Sequence, residues 1–195
     1  MTMLSDKTIR YLCKEVGLVQ NMIDPERQIQ PCGVDLTLDY VEEPQRPTVF
    51  PTVIDFTNEK RKIAPMKRCN VFTEDIYEID DGSGIKMTLS TPIQDYWYEL
   101  QQGQYVFHTR EKINCPQGIS GFMLLRSTLC RGGNTCTSAL IDPGYFGHLT
   151  LTVNVGMAPL TIKRGGRFAQ VIFFRLDSDA GSTYNGVYKE NKPSG

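Results

Sequence analysis

Two periodicities alternate along the chain. Between Asp6 and Val16 the apolar residues Ile9, Leu12, Cys13 and Val16 recur at three- and four-residue spacing, the period of a helix with one buried face. Ser5 stands at the N-cap position, and Gly17 stands where a helix favours a left-handed C-cap. This is the one long helix that the pattern predicts. Pro25 and Pro31 then interrupt the chain, and from Gly33 to Asp39 apolar and polar residues alternate with the two-residue period of a strand.

The two-residue period returns repeatedly. Val41 to Pro65 carries Pro44, Pro47 and Pro51 among mixed charges and reads as an irregular excursion, with one strand expected at Val53 to Phe56. Val71 to Ile79 alternates, Asp80-Asp-Gly-Ser-Gly84 is a turn signal, and Ile85 to Leu89 is the expected partner strand. Gln104 to Ile113 follows Gly103 and ends before Pro116. Shorter strands are expected at Gly121 to Leu125, Leu149 to Val155, Leu160 to Ile162 and Arg167 to Leu176. Many short strands, one helix and no βαβ rhythm predict an all-β sandwich or barrel, in one domain spanning residues 1–195. Residues 177–195 are polar, and Tyr184 and Tyr188 interrupt them. They read either as a disordered terminus or as a flexible arm that orders over a ligand.

Composition narrows the partners more than the fold. Of 195 residues, 40% are hydrophobic and 22% charged, and the net charge of −1 supplies no global basic field, which argues against nucleic acid as a partner. No apolar run reaches the roughly 18 residues of a membrane span, so no membrane partner is expected. The polar N-terminus carries no signal-peptide pattern, and the six cysteines are scattered without a C-x-x-C pair. Reduced thiols and a cytoplasmic location follow.

Several familiar sites are absent. There is no G-x-x-x-x-G-K-[ST] phosphate loop, no dinucleotide fingerprint around Gly82-Ser-Gly84, and no zinc deaminase signature. His108 and His148 lie far apart in β-rich segments and read as solvated or structural. What remains is a polar cluster. Arg126, Ser127, Thr128 and Arg131 combine forked guanidinium donors with hydroxyls, as phosphate binding requires, although strand arginines also make surface ion pairs. Asp142 on Ile141-Asp-Pro-Gly144 is either a turn-forming aspartate or a carboxylate presented to a ligand. Gln170 is either paired in the sheet or turned to a ligand. Asp35 is either a buried structural hydrogen-bond partner or a support for the site.

Taken together, Gly33-Val-Asp-Leu36, Arg126-Ser-Thr-Leu129, Ile141-Asp-Pro-Gly-Tyr-Phe-Gly147, Gly166-Arg-Phe-Ala-Gln-Val171 and Tyr184-Asn-Gly-Val-Tyr188 resemble, in order and spacing, the five motifs of the dUTPase and dCTP deaminase superfamily. The resemblance implies a distorted β-barrel or jelly-roll-like subunit with one short N-terminal helix. It also implies a homotrimer with sites between subunits, and a deoxynucleoside triphosphate substrate held with Mg²⁺ through its phosphates rather than by a direct protein ligand. By the same resemblance Arg126, Ser127, Thr128, Arg131 and Gln170 bind phosphates, and Tyr184 and Lys189 close on them from the tail. Tyr145 packs against the deoxyribose, Thr137, Ser138 and Ala139 belong to the hairpin that reads the base, and Asp142 orients the attacking water.

The superfamily contains two chemistries. Deaminases are similar in Arg126-Ser-x-Leu-x-Arg131 and in the tail, but carry a glutamate where this chain has Thr152. A threonine hydroxyl cannot act as a general base near neutral pH, and losing such help costs about 10²- to 10⁴-fold in rate. The short Gly132 to Ile141 loop is similar to that of the deaminase-like dUTP diphosphatase branch described from archaea. The sequence therefore predicts hydrolysis of dUTP to dUMP and pyrophosphate. The alternatives are a dCTP deaminase, alone or bifunctional, and a nucleotide-binding regulator with weak turnover.

Overall fold

In the computed structural model, residues 2–44, 65–73, 78–80, 86–88, 96–186 and 190 are described. The strand expected at Val53 to Phe56, the turn residues 81–84 and Lys189 lie outside them.

The helix spans Asp6–Val16, as its periodicity predicts, and ends on Gly17 at φ 65°, whose N–H donates to the Leu12 carbonyl. Its start differs in mechanism. The Ser5 side chain caps no backbone N–H; the Asp6 N–H instead donates to the Pro31 carbonyl at 3.0 Å. Ile9 is fully buried and Leu12 and Cys13 pack on the core, whereas Val16, counted with the apolar face, is 43% exposed in the last turn.

Seven strands form the main path of a curled sheet, in the order Thr135–Thr137, Phe146–Val155, Gly103–Asn114, Gly33–Pro44, Arg167–Arg175, Ile119–Leu125 and Leu140–Ile141. The first and last of these are separated in sequence only by Ser138 and Ala139. They do not pair as the hairpin the sequence suggested; the two-residue link joins both ends of the path, so the sheet curls round on itself. Phe107, Phe168, Phe173, Leu36, Leu38 and Leu151 fill the interior and are fully buried.

The Gly33–Pro44 strand runs past the expected end at Asp39 because Met66–Arg68 pairs with Glu42 to Pro44. Proline is tolerated at its last position, where no ladder donor is needed. Its first six residues are buried on both faces, although the pattern alternates polar with apolar. Asp35 is paired with Arg126 and Arg167, and Glu111 accounts for Thr37. The buried Glu111 carboxylate accepts from Thr37 N–H at 2.8 Å, the Thr37 hydroxyl at 2.6 Å and Gln28 Nε2 at 2.8 Å. Gln28 ends a short helix, Pro25–Gln28, capped by the Asp24 carboxylate.

Glu78–Asp80 and Lys86–Thr88 pair antiparallel, as the turn between them predicts. Tyr96–Leu100, which the reading above did not assign, pairs with Leu160–Lys163 and Phe72–Thr73 in a separate three-stranded sheet. The strand expected at Gly121 to Leu125 is present as Ile119–Leu125, and Ser127–Arg131, which the reading above left unassigned, is a short helix. Among the described residues no helix is long and apolar enough to cross a membrane.

Candidate active site

The Ile119–Leu125 strand borders two cavities: Leu124 and Leu125 line one of about 450 Å³, and Met123 lines another of about 460 Å³.

The first cavity is built on strand register. Leu124 lies opposite Gln170, and Gln170 opposite Asp35, so three adjacent strands present these residues in one row. Asp35 is 2% exposed. Its Oδ2 meets Arg126 Nε at 3.3 Å and Arg167 Nη1 at 3.1 Å, and Gln170 Nε2 donates to its Oδ1 at 3.4 Å. Burial pushes the Asp35 carboxyl above the ordinary aspartate range, with the Arg126 and Arg167 charges and the Gln170 amide pulling the other way. Both guanidiniums are partly exposed and meet the same carboxylate oxygen; Arg126 lines this cavity, whereas Arg167 lines a neighbouring one beside Arg27 and Thr37. Ser127 begins the short helix beside Arg126 and lines the same cavity with it. A buried carboxylate thus fixes one guanidinium and one amide donor at the edge of this cavity.

The second cavity is built on a turn. The Asp142 carbonyl accepts from Tyr145 N–H at 3.1 Å, with Gly144 between them at φ 80°. The Cys115 backbone clamps this turn at two points, donating to the Tyr145 carbonyl and accepting from Gly144 N–H, both at 2.9 Å. Asp142 therefore forms the turn and also lines the cavity, with Tyr145, Ser138, Ala139, Thr150 and Tyr184. Burial pushes the Cys115 thiol up to about 12, helped by the Asp142 charge, so this thiol stays protonated and inert. Burial, with Tyr184 and Glu190 nearby, pushes the Tyr145 phenol up to about 12 as well, and its hydroxyl donates to the His148 carbonyl. Tyr145 is thus a neutral ring held in one orientation.

The polar tail is laid along this cavity. Gln117 donates to the Ala180 carbonyl at 2.7 Å, and Tyr184 N–H donates to the Pro143 carbonyl at 2.7 Å. The Tyr184 ring lies 5.4 Å from that of Tyr145. Farther on, Glu190 N–H donates to the Phe146 carbonyl, and the Glu190 carboxylate pairs with Lys112 at 2.5 Å.

The structure therefore brings Asp35, Arg126, Ser127 and Gln170 together, and separately Asp142, Tyr145, Ser138, Ala139 and Tyr184. Thr128 and Arg131 are exposed on the short helix and line neither cavity. Tyr184, grouped by resemblance with the phosphate ligands, stands beside Tyr145 in its own chain. Thr137 and Thr152 face each other across paired strands on the outer surface of the sheet; Thr150, two residues before Thr152 on the same face, reaches the cavity. Arg167 was not singled out in sequence. Its only local sign is a charge at the head of a buried strand, while its partner Asp35 lies far away in the chain.

A family model described as dCTP deaminase-like matches residues 3–176. The probable deoxyuridine 5'-triphosphate nucleotidohydrolase of Methanosarcina acetivorans is 30% identical over 191 residues, covering 97% of each chain. The deoxyuridine 5'-triphosphate nucleotidohydrolase of Methanocaldococcus jannaschii is 32% identical over 164 residues, covering 84% of this chain and 88% of the other. In fold, the crystal structure of 2'-deoxycytidine 5'-triphosphate deaminase from Agrobacterium tumefaciens superposes with a TM-score of 0.58 at 20% identity, covering 90% of this chain and 49% of that one. These likenesses agree, and the chain belongs to the dCTP deaminase-like family.

Proposed function

We propose that the protein hydrolyses dUTP to dUMP and pyrophosphate, with Asp142 as its catalytic residue. Asp142 is the one carboxylate among the residues lining its cavity, and this observation carries the reading. Deamination needs a group that takes a proton from water and returns one to the departing ammonia. The strand beyond the turn offers Thr150 and Thr152, whose hydroxyls hold their protons too tightly for that work near neutral pH. Hydrolysis of a phosphoanhydride asks for a carboxylate to orient water and for positive groups where charge develops on the phosphoryl oxygens.

In this reading Asp142 orients a water for in-line attack on the α-phosphorus. Arg126, Ser127 and Gln170 hold the phosphates, held in turn by Asp35 and Arg167, and Thr128, Arg131, Tyr184 and Lys189 add further donors. The Tyr145 ring packs against the deoxyribose and fills the space a 2′-hydroxyl needs. The hairpin Thr137, Ser138 and Ala139 offers backbone donors and acceptors to the uracil edge, where a wrong base leaves buried polar groups unpaired. Among the described residues no three His, Cys, Asp or Glu side chains converge, and Asp35 is occupied by two guanidiniums, so Mg²⁺ fits a site on the substrate's own phosphates. Bound there, it neutralises phosphate charge.

The two cavities share no lining residue. Beside them the sheet presents Phe122, Leu124 and Leu140, which are 38%, 47% and 51% exposed, with Phe174 edge-on to Phe122. This apolar face is assigned to contact between copies of the chain in a homotrimer, where the phosphate cavity of one subunit meets the Asp142 cavity of the next. The test is to incubate the purified protein with dUTP, dCTP and dTTP plus Mg²⁺ and to follow pyrophosphate and ammonia. Pyrophosphate from dUTP is expected, without ammonia from dCTP. Ammonia from dCTP overturns the reading, and tight binding without product identifies a regulator.

A further inference from the structure

Between the phosphate motif and the hairpin stands a buried amide. Asn134 follows the short helix Ser127–Arg131, precedes the strand Thr135–Thr137 and is 4% exposed. Its Nδ2 donates to the Leu129 carbonyl at 2.9 Å, and its own backbone N–H donates to the same oxygen at 3.2 Å. On its other side the Gly156 N–H approaches Asn134 Oδ1 at 3.4 Å. Carbonyls in the last turn of a helix lack intrahelical donors, and Asn134 supplies one of them twice. The backbone around it is closely packed: Gly133 has φ 80°, and a Cβ on Gly156 would stand 2.5 Å from the Gly133 carbonyl oxygen.

An aliphatic side chain of similar size would satisfy burial at this place. A buried amide adds something an aliphatic group cannot, namely a fixed distance between the helix end, the hairpin root and the strand end at Gly156. The consequence runs along the chain. From Asn134, the strand Thr135–Thr137 pairs with Thr152 to Asn154, and the next two residues, Ser138 and Ala139, line the Asp142 cavity.

We infer that Asn134 is a positioning residue that registers the Thr135 to Ile141 segment, to which the proposed function gives base reading and which is called the hairpin although its two strands pair with different partners, against the short helix Ser127–Arg131, so that base discrimination depends on a knot of hydrogen bonds outside both cavities. The inference rests on the reading of the site given above. Two variants separate positioning from folding. Asn134→Leu keeps the burial and removes the polar atoms. Asn134→Asp keeps the shape but, as a carboxylate, has no donor for the Leu129 carbonyl; its acid form has one. The readouts are melting temperature, amide hydrogen exchange across Thr135 to Ile141, and the ratio of kcat/KM for dUTP to that for dTTP.

Asn134→Leu is expected to melt within a few degrees of the wild type, with faster exchange confined to the hairpin and Gly156. The kcat/KM for dUTP should fall roughly tenfold, the size of one buried hydrogen bond, and the dUTP-to-dTTP ratio should narrow. Asn134→Asp should show the same defect at neutral pH and recover, relative to the wild type at the same pH, as pH falls through about 4 to 5. Unchanged hairpin exchange in both variants overturns the inference, as does faster exchange with an unchanged ratio. If the wild type turns over no dUTP, the proposed function fails on its own, and hairpin exchange alone then decides whether Asn134 holds the hairpin.

Discussion

Replacing Asp35 by asparagine separates what its carboxylate does for folding from what it does for the site. The carboxylate is 2% exposed and meets Arg126 at 3.3 Å and Arg167 at 3.1 Å. Because burial outweighs the two guanidiniums, its folded pKa lies above the unfolded value. A group raised in this way binds more protons in the native state, so its contribution to stability is complete below the unfolded pKa and is lost as pH rises through the folded one. At neutral pH the ionised Asp35 therefore works against folding, and Asp35→Asn is expected to leave Tm unchanged or higher. The site should lose more. A hydrogen bond to a charged group is worth about 1.5–3 kcal/mol when enclosed. The Arg126 and Arg167 side chains are 31% and 37% exposed, and solvent screening reduces each contact to about 1 kcal/mol. About 2 kcal/mol of orientation corresponds to a fall of roughly 30-fold in kcat/KM for dUTP. Pyrophosphate release and thermal melting on the same preparation test this. A kcat/KM within about twofold of wild type refutes the reasoning. So does a loss accompanied by a Tm drop of about 4–8 °C, which is what 2 kcal/mol of stability amounts to in a chain of this size.

Asp142→Asn should lower kcat by about 10²- to 10⁴-fold while Kd for a non-hydrolysable dUTP analogue stays near wild type; full activity would remove Asp142 from its role. Glu111→Ala strands the Thr37 amide and hydroxyl and removes one of the two acceptors of Gln28 Nε2, which keeps the Asp35 carbonyl, and should cost about 3 kcal/mol in urea unfolding; an unchanged midpoint contradicts the network. The Lys112 hydrogen bond holds the Glu190 carboxyl below the usual glutamate range. Its contribution to tail anchoring is therefore present above the ordinary glutamate pKa and lost as pH falls through the lowered one. Glu190 is 39% exposed, so the pair is worth about 0.5 kcal/mol. Glu190→Gln, or high salt, should raise chymotryptic cutting after Tyr184 about twofold in a timed digest; equal rates would show that this ion pair does not hold the tail.

Much of this was legible in the chain before any coordinate. The helix Asp6–Val16 and its Gly17 terminus are written in consecutive residues, as are most strand positions and the Asp-Pro-Gly turn. The signals there are side-chain period and turn chemistry, which act over a few residues. Where local signals conflicted with pairing, pairing prevailed. The strand from Gly33 runs on to Pro44 because Met66–Arg68 gives it a partner. Ser127–Arg131, which carries no period long enough to assign, folds as a short helix. Val16 sits on the predicted apolar face yet is exposed, because the core does not extend under the last turn.

The sequence by itself determined a mainly β chain with one long helix, a cluster of guanidinium and hydroxyl groups and a carboxylate on a Pro-Gly turn. Only the tertiary structure decided that Asp35 is the buried hinge between Arg126 and Arg167, that Tyr184 lies against Tyr145, and that Asn134 ties helix to hairpin. These are contacts between residues whose positions follow from strand register and from the rolling of the sheet. Register is a cooperative property of the whole sheet, so no single stretch of the chain encodes it.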